Sequence, residues 1–323
     1  MSRTARLDGP RQDGHDVARG LSRGDKTWIV YRGPDGSRFY LAGTHRQGKQ
    51  GVEFSRGIVG LDRPPTELVW LQEARQNGAD LVGANVDVRQ IKFAVNILGN
   101  TPRDMRARYS DWNRANRTDQ LGRLMFLNSY SGVRFCDVLL GESPSGSIDQ
   151  DPALLRRMAD YPFTWVAPNP YFKGYTETFE WEVGHRDSLG ISEGPLRVRN
   201  LGDSYTYPKI KLPGPGTWSI PQGTRLPDAW GREGQGPLDD TMITLPELNE
   251  GETAWLDTDP RVETITMVRE DGRETNLWAK MSGQRPRIKL LGDRAEDWWF
   301  SVKGGEVGAK AKMIVQPLYS TFQ

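Results

Sequence analysis

Cysteine is nearly absent from this sequence. Cys136 is the only one, which excludes an internal disulfide framework and any structural zinc site built from several cysteines. Histidine is almost as scarce: His15, His45 and His185 stand far apart, so no His-rich metal motif exists. Neither sign of charge is in excess, with 43 Lys and Arg against 42 Asp and Glu over 323 residues. A dedicated nucleic-acid or membrane-surface binder needs a net basic footprint, which this balance lacks. Apolar runs such as Val138–Leu140 are only a few residues long, far short of the roughly 20 that a spanning helix needs. The first twenty residues hold no apolar h-region, so the expectation is a chain made in the cytoplasm, with no secretory signal and no membrane insertion. The usual chemical signatures are missing too: no phosphate-cradling glycine loop, no G-x-S-x-G elbow and no H-E-x-x-H helix. No cofactor is expected.

Glycine (36), proline (21) and tryptophan (11) are plentiful. Gly and Pro punctuate turns and aromatics suit half-buried pleated surfaces, so many short strands are expected. The length suggests about two domains. Residues 1–26 mix Arg3, Arg6, Arg11, Arg19 and Arg23 with Asp8, Asp13, Asp16 and Asp25, without hydrophobic period, and read as a flexible arm. Strands are expected over 27–31, 38–41, 67–71, 86–97, 122–127, 133–140, 163–167 and 176–183, with the pair 122–140 forming a long hairpin. One helix is expected. Thr101 is its N-cap, Pro102 its first residue and Asp104 the reciprocal cap; Met105, Tyr109 and Trp112 form one face and Arg103, Arg106, Arg108 and Arg114 the others. Small and polar residues accumulate over 184–195, placing a first domain at 27–187 and a second at 188–323. The second reads as short strands and turns throughout (196–200, 209–212, 217–220, 241–245, 252–257, 262–268, 287–290 and 311–319), the pattern of a β-sandwich or jelly roll.

Four groups are candidates for chemistry. Glu180 and Glu182 flank Trp181 and could serve as a carboxylate pair on a sugar, or could simply form the wet face of an alternating strand. Asp239–Asp240 and Asp257-x-Asp259 carry oxygen donors suited to Ca²⁺ but lack an Asp-x-Asp-x-Asp-Gly loop, and turn chemistry accounts for them as well. Cys136 lies mid-strand with no base paired to it in sequence. Trp298 and Trp299 could stack on sugar rings or anchor a subunit interface; if they lie on a strand, one of them faces outward.

The ordered set Gly60-Leu61, Val88–Val95, Gly99, the capped helix, Leu121–Leu124 and Gly132–Phe135 resembles the N-terminal domain of siphophage distal tail proteins. Asn200–Asp203, Thr206–Ile210, Gly251-Glu252, Trp255–Arg261 and Arg287–Leu290 resemble their C-terminal domain. The resemblance spans about residues 27–320. It implies a mostly-β fold: an N-terminal β-sandwich or split barrel with one α-helix and a long hairpin, and a C-terminal galectin-like β-sandwich. It implies a non-enzymatic virion protein at the tail tip, forming a homo-oligomeric and typically hexameric ring. That ring would join the tail tube protein to the tip hub protein, near the tape measure protein, with DNA passing through the channel without specific binding. The long link at 141–160 and the Gly/Pro-rich stretch at 221–240 depart from a minimal member. The alternatives are a carbohydrate-binding module touching the host envelope through Trp298 or Trp299, and a cell-wall glycosidase using Glu180 or Glu182.

Overall fold

The structure, a computed structural model, describes residues 26–323 except 76, 143, 145–150, 227–228, 230–235, 240 and 263. The arm expected over 1–26 therefore lies, but for Lys26, outside the described residues, as does much of the 221–240 stretch. The chain divides into two compact units: Met1–Lys173 with Ser320–Gln323, and Gly174–Tyr319.

The first unit contains β1 (Trp28–Arg32), β2 (Arg38–Ala42), β3 (Val52–Val59), β4 (Thr66–Leu71), β5 (Asp80–Val86), β6 (Arg89–Leu98), helix α1 (Pro102–Ala115), β7 (Gly122–Asn128), β8 (Gly132–Glu142), the one-turn α2 (Pro152–Leu155), β9 (Arg157–Ala167) and β10 (Phe172–Lys173). Its main sheet runs β2-β1-β7-β8-β9-β6-β3, with β10 on β8. The two end strands, β2 and β3, also lie against one another, so the sheet curls almost closed. β4 and β5 pair only with each other, as a separate two-stranded ribbon.

α1 forms where the cap signal places it. The Thr101 hydroxyl accepts from Asp104 N at 3.1 Å, while Asp104 Oδ2 accepts from Asn100 N at 2.7 Å, one residue earlier than a capping box requires. Met105 and Trp112 are buried. The Trp112 ring meets Phe39 at 5.0 Å and Phe163 at 5.3 Å, and Trp165 stacks on Tyr31 at 4.6 Å. Trp165 Nε1 donates to Asn116 Oδ1 at 2.7 Å just beyond the helix end, which fixes the helix over the sheet.

β6 alternates inward and outward, with Ile91, Phe93, Val95 and Ile97 inside. A charged Arg89 interrupts this apolar period in sequence, yet it takes the first inward position and is buried. Its guanidinium donates to four backbone carbonyls: Nε to Pro170 O (2.6 Å), Nη1 to Gly60 O (2.7 Å) and to Asp62 O, and Nη2 to Ser320 O (2.7 Å). It also lies 4.5 Å from the Phe172 ring centroid. Arg134 Nη1 holds Thr321 O at 2.9 Å, so the last four residues are anchored to the first unit.

The second unit contains β11 (Glu177–Glu182), β12 (Ile191–Asn200), β13 (Lys209–Pro213), β14 (Thr217–Pro221), β15 (Met242–Thr244), β16 (Thr253–Asp257), β17 (Thr264–Val268), β18 (Glu274–Asn276), β19 (Arg294–Lys303) and β20 (Lys310–Val315). Two antiparallel sheets, β11-β20-β13-β16-β17-β18 and β12-β19-β14-β15, enclose a core that includes Leu212, Trp218, Leu256, Trp298, Phe300 and Met313. This is the sandwich expected, with differences in detail. Strand 176–183 belongs to this unit, because β11 pairs along its length with β20. β12 begins at Ile191, inside the stretch read as a boundary. Arg287–Leu290 is no strand; Leu290 makes only an isolated bridge to Thr206.

On β8, Asp137 receives Arg123 Nε at 2.7 Å and Lys173 Nζ at 2.8 Å. Burial alone raises the Asp137 pKa, but the Arg123 hydrogen bond and the Lys173 charge outweigh it and hold the carboxyl below its ordinary value. With the folded pKa below an unfolded value of about 3.9, this stabilisation is complete above that pH and is lost as pH falls through the folded pKa. Asp137→Asn is expected to cost about 1–3 kcal/mol at pH 7 and to flatten the decline in urea midpoint between pH 5 and pH 2 (unfolding at about five pH values). A decline as steep as that of the wild type would show that Asp137 carries no acid-side stability.

Candidate functional site

Glu180 is not poised as an acid. Glu180 and Glu182 lie on β11 directly opposite Lys312 and Lys310 of β20. Lys312 Nζ donates to Glu180 Oε1 at 2.5 Å and Lys310 Nζ lies 3.2 Å from Glu180 Oε2. The Lys312 and then the Lys310 hydrogen bonds hold the Glu180 pKa below its ordinary value, whereas a general acid needs it raised. Asp257 is engaged by Lys209 at 2.8 Å and Asp259 by Arg261 at 2.6 Å. Asp239 accepts from the Thr241 hydroxyl at 2.7 Å, and Asp240 lies outside the described residues. Among the described residues no group of three or more His, Cys, Asp and Glu could hold a metal ion. Cys136 is fully buried and burial pushes its thiol up to about 12, the environment of an inert cysteine.

The two tryptophans part company on β19. Trp298 is wholly buried and packs in the core, while Trp299 is 48% exposed. Trp299 sits directly opposite Pro195 on the outer face of the four-stranded sheet. Two positions along that face, Arg197 and Asp297 form an ion pair at 3.0 Å. Of the pair only Trp299 can stack on anything outside its own chain.

In the hairpin 122–140, β7 lies between β1 and β8, while β8 pairs with β9 at Leu139, Leu140 and Glu142 and with β10 at Phe135. The ribbon β4–β5 differs. Every residue of β4 is exposed and β5 is nearly so, yet together they carry Leu68, Val69, Trp70, Leu71, Leu81, Val82 and Val86. The sequence reading found β4 and missed its partner. The available signal was Leu68–Leu71: apolar residues on both faces of a strand call for cover on both faces, and the described residues supply none.

No family model matches the chain. In sequence it is similar to minor tail protein Gp27 of Mycobacterium phage D29, 27% identical over 301 residues, covering 81% of this chain and 87% of that protein. Gp27 of Mycobacterium phage L5 is 27% identical over 304 residues, covering 82% and 88%. In fold it is similar to the SPP1 Dit (gp 19.1) protein, described as a paradigm of the hub adsorption apparatus in Gram-positive-infecting phages. That match has TM-score 0.58 at 12% identity, covering 90% of this chain and 98% of that one. The resemblance read from the sequence holds in both respects: its relatives are phage tail proteins and its fold is that of Dit.

Proposed function

We propose that this chain, a relative of phage minor tail proteins with the fold of a Dit protein, is a structural subunit of the tip of a long, non-contractile phage tail. One observation carries the reading: the sequence similarity spans four fifths of the chain and most of each relative. In this role the protein works by assembly rather than catalysis. Copies close into a ring, six being the expected number, which joins the tail tube protein to the tip hub protein near the tape measure protein. DNA passes through the ring. The near-zero net charge supports a wall that does not grip phosphates. Closure requires head-to-tail contacts between different surfaces of the same chain. The test is immunogold electron microscopy with mass spectrometry of purified particles. Label confined to the tail tip, at a few copies per particle, is expected; particles without the protein overturn the reading.

A second reading, glycan contact by the tip, is favoured by Trp299, an exposed indole beside Pro195 and the Arg197–Asp297 pair. Aromatic faces of this kind stack on apolar rings.

A further inference from the structure

The outer face of the four-stranded sheet in the second unit is ordered in rows. Residues opposite each other across a strand pair share a face and stand at one level, and alternate residues along a strand occupy successive levels. Glu193 of β12 stands opposite Ser301 of β19, Ser301 opposite Ser219 of β14, and Ser219 opposite Thr244 of β15. One polar row thus crosses all four strands. Its Ser219 and Thr244 hydroxyls bond each other at 2.9 Å.

One level further the chemistry changes. Pro195 stands opposite Trp299, and Pro221 opposite Met242, so this row is apolar from end to end. Pro221 is buried and Met242 half-buried, which leaves the Trp299 indole and the exposed Pro195 as the open part of the strip. At the level beyond, Arg197 and Asp297 face each other as an exposed ion pair. The strip is therefore one residue wide, with a polar row on one side and an ion pair on the other. Neighbouring strands lie about 4.8 Å apart, so Ser301, Ser219 and Thr244 recur at about that interval, close to the advance of one residue along an extended polysaccharide.

We infer that this face binds a linear, uncharged polysaccharide lying across the strands. One pyranose ring stacks on Trp299, and hydroxyls along one edge of the chain bond to Glu193, Ser301, Ser219 and Thr244. A pyranose has an apolar face of C–H groups and a rim of hydroxyls, and the strip and its polar row repeat that division. Serine and threonine hydroxyls both donate and accept, as sugar hydroxyls do, and the Glu193 carboxylate accepts. Charge on the face selects neither sign: the outward residues of β12 and β19 set Glu193 and Asp297 against Arg197, Arg199 and Lys303. A protein is a poorer occupant, because a protein interface centres on a desolvated cluster of apolar anchors, and this strip offers one open indole between two polar lines. This inference rests on the glycan reading and adds the polymer's charge, its direction and the residues that hold it.

The test is isothermal titration calorimetry of the full chain with cellohexaose, chitohexaose, mannohexaose and, as the charged comparison, hexagalacturonate, each against its monosaccharide. At least one neutral hexasaccharide is expected to bind, about tenfold or more tighter than its monosaccharide, because only a polymer reaches the far hydroxyls of the row. Hexagalacturonate is expected to bind more weakly than that neutral oligomer. Trp299→Ala abolishes binding. Ser219→Ala with Thr244→Val weakens it about tenfold. These two hydroxyls bond each other, so removing both orphans neither, and the thermal melt stays that of the wild type. A hydroxyl-pair variant that binds like the wild type, or equal affinity for hexasaccharide and monosaccharide, overturns the inference and leaves the glycan reading standing if Trp299→Ala still abolishes binding. Preference for hexagalacturonate overturns the uncharged class. A wild type that binds none of the oligomers also overturns the inference, and a glycan array that then shows no ligand defeats the glycan reading as well.

Discussion

Replacing Arg89 by methionine is expected to cost the first unit about 3–5 kcal/mol, a large share of the roughly 5–15 kcal/mol by which a domain is stable. Methionine keeps most of the apolar stem, so the loss falls on the polar contacts. Four backbone carbonyls, of Pro170, Gly60, Asp62 and Ser320, converge on one guanidinium. A hydrogen bond to a charged group is worth about 1.5–3 kcal/mol, and a buried carbonyl left without a donor costs about 1–3 kcal/mol. Some of these carbonyls would find water once the segments loosen, which keeps the total well below the sum. Lysine does not rescue the site: an ammonium lacks the planar fork that reaches Pro170, Gly60 and Ser320 in three directions. Arg89→Lys should therefore recover less than half of the loss. Urea unfolding of the wild type and both variants measures this. Carboxypeptidase digestion adds a readout, because losing the Ser320 contact exposes the C-terminal residues to faster trimming. A methionine variant within about 1 kcal/mol of the wild type would mean that the four carbonyls are satisfied some other way.

Arg89 also shows where the sequence is legible and where it is not. The α1 signal is local: Thr101, Pro102 and Asp104 lie within four residues, and the helix starts on them. The strands 28–32, 38–42 and 209–213 declare themselves by composition and flanking turns. Pairing is not local. β11 was readable as a strand, but its partner β20 is more than a hundred residues away, and nothing in residues 177–182 indicates which unit owns them. β3 was missed because bulges after Phe54 and Arg56 destroy the period-two pattern by which strands are recognised. Arg89 looked like an interruption because a buried cation is costly unless its partners converge. Those partners are carbonyls from residues 60, 62, 170 and 320, which no side-chain pattern reveals. The ribbon was half legible: Leu68–Leu71 put apolar residues on both faces of a strand, and among the described residues nothing buries them.

Trp298→Ala is expected to destabilise the second unit by about 3–5 kcal/mol, whereas Trp299→Ala changes stability by about 0.5 kcal/mol or less. The two residues are adjacent and chemically identical, so the difference isolates the parity of β19. Inward positions carry Trp298, Phe300 and Val302; outward positions carry Asp297, Trp299, Ser301 and Lys303. Trp298 fills the core with Trp218 and Phe300, and truncation to alanine leaves a cavity that a sandwich held by cross-strand pairs on both sides collapses into only partly. The Trp298 indole N–H has no acceptor among the described residues. Trp298→Phe therefore loses volume but no hydrogen bond and should cost less than half as much as alanine. Denaturant unfolding of the three variants decides the matter: a larger cost for Trp299→Ala than for Trp298→Ala would mean that the strand is turned the other way. The same variants weigh the glycan reading. If the tip contacts sugar through this sheet, Trp299→Ala abolishes binding on a glycan array while leaving the melt unchanged, and Trp298→Phe retains binding. If an array shows no ligand for the wild type, Trp299 is an exposed indole without a sugar partner.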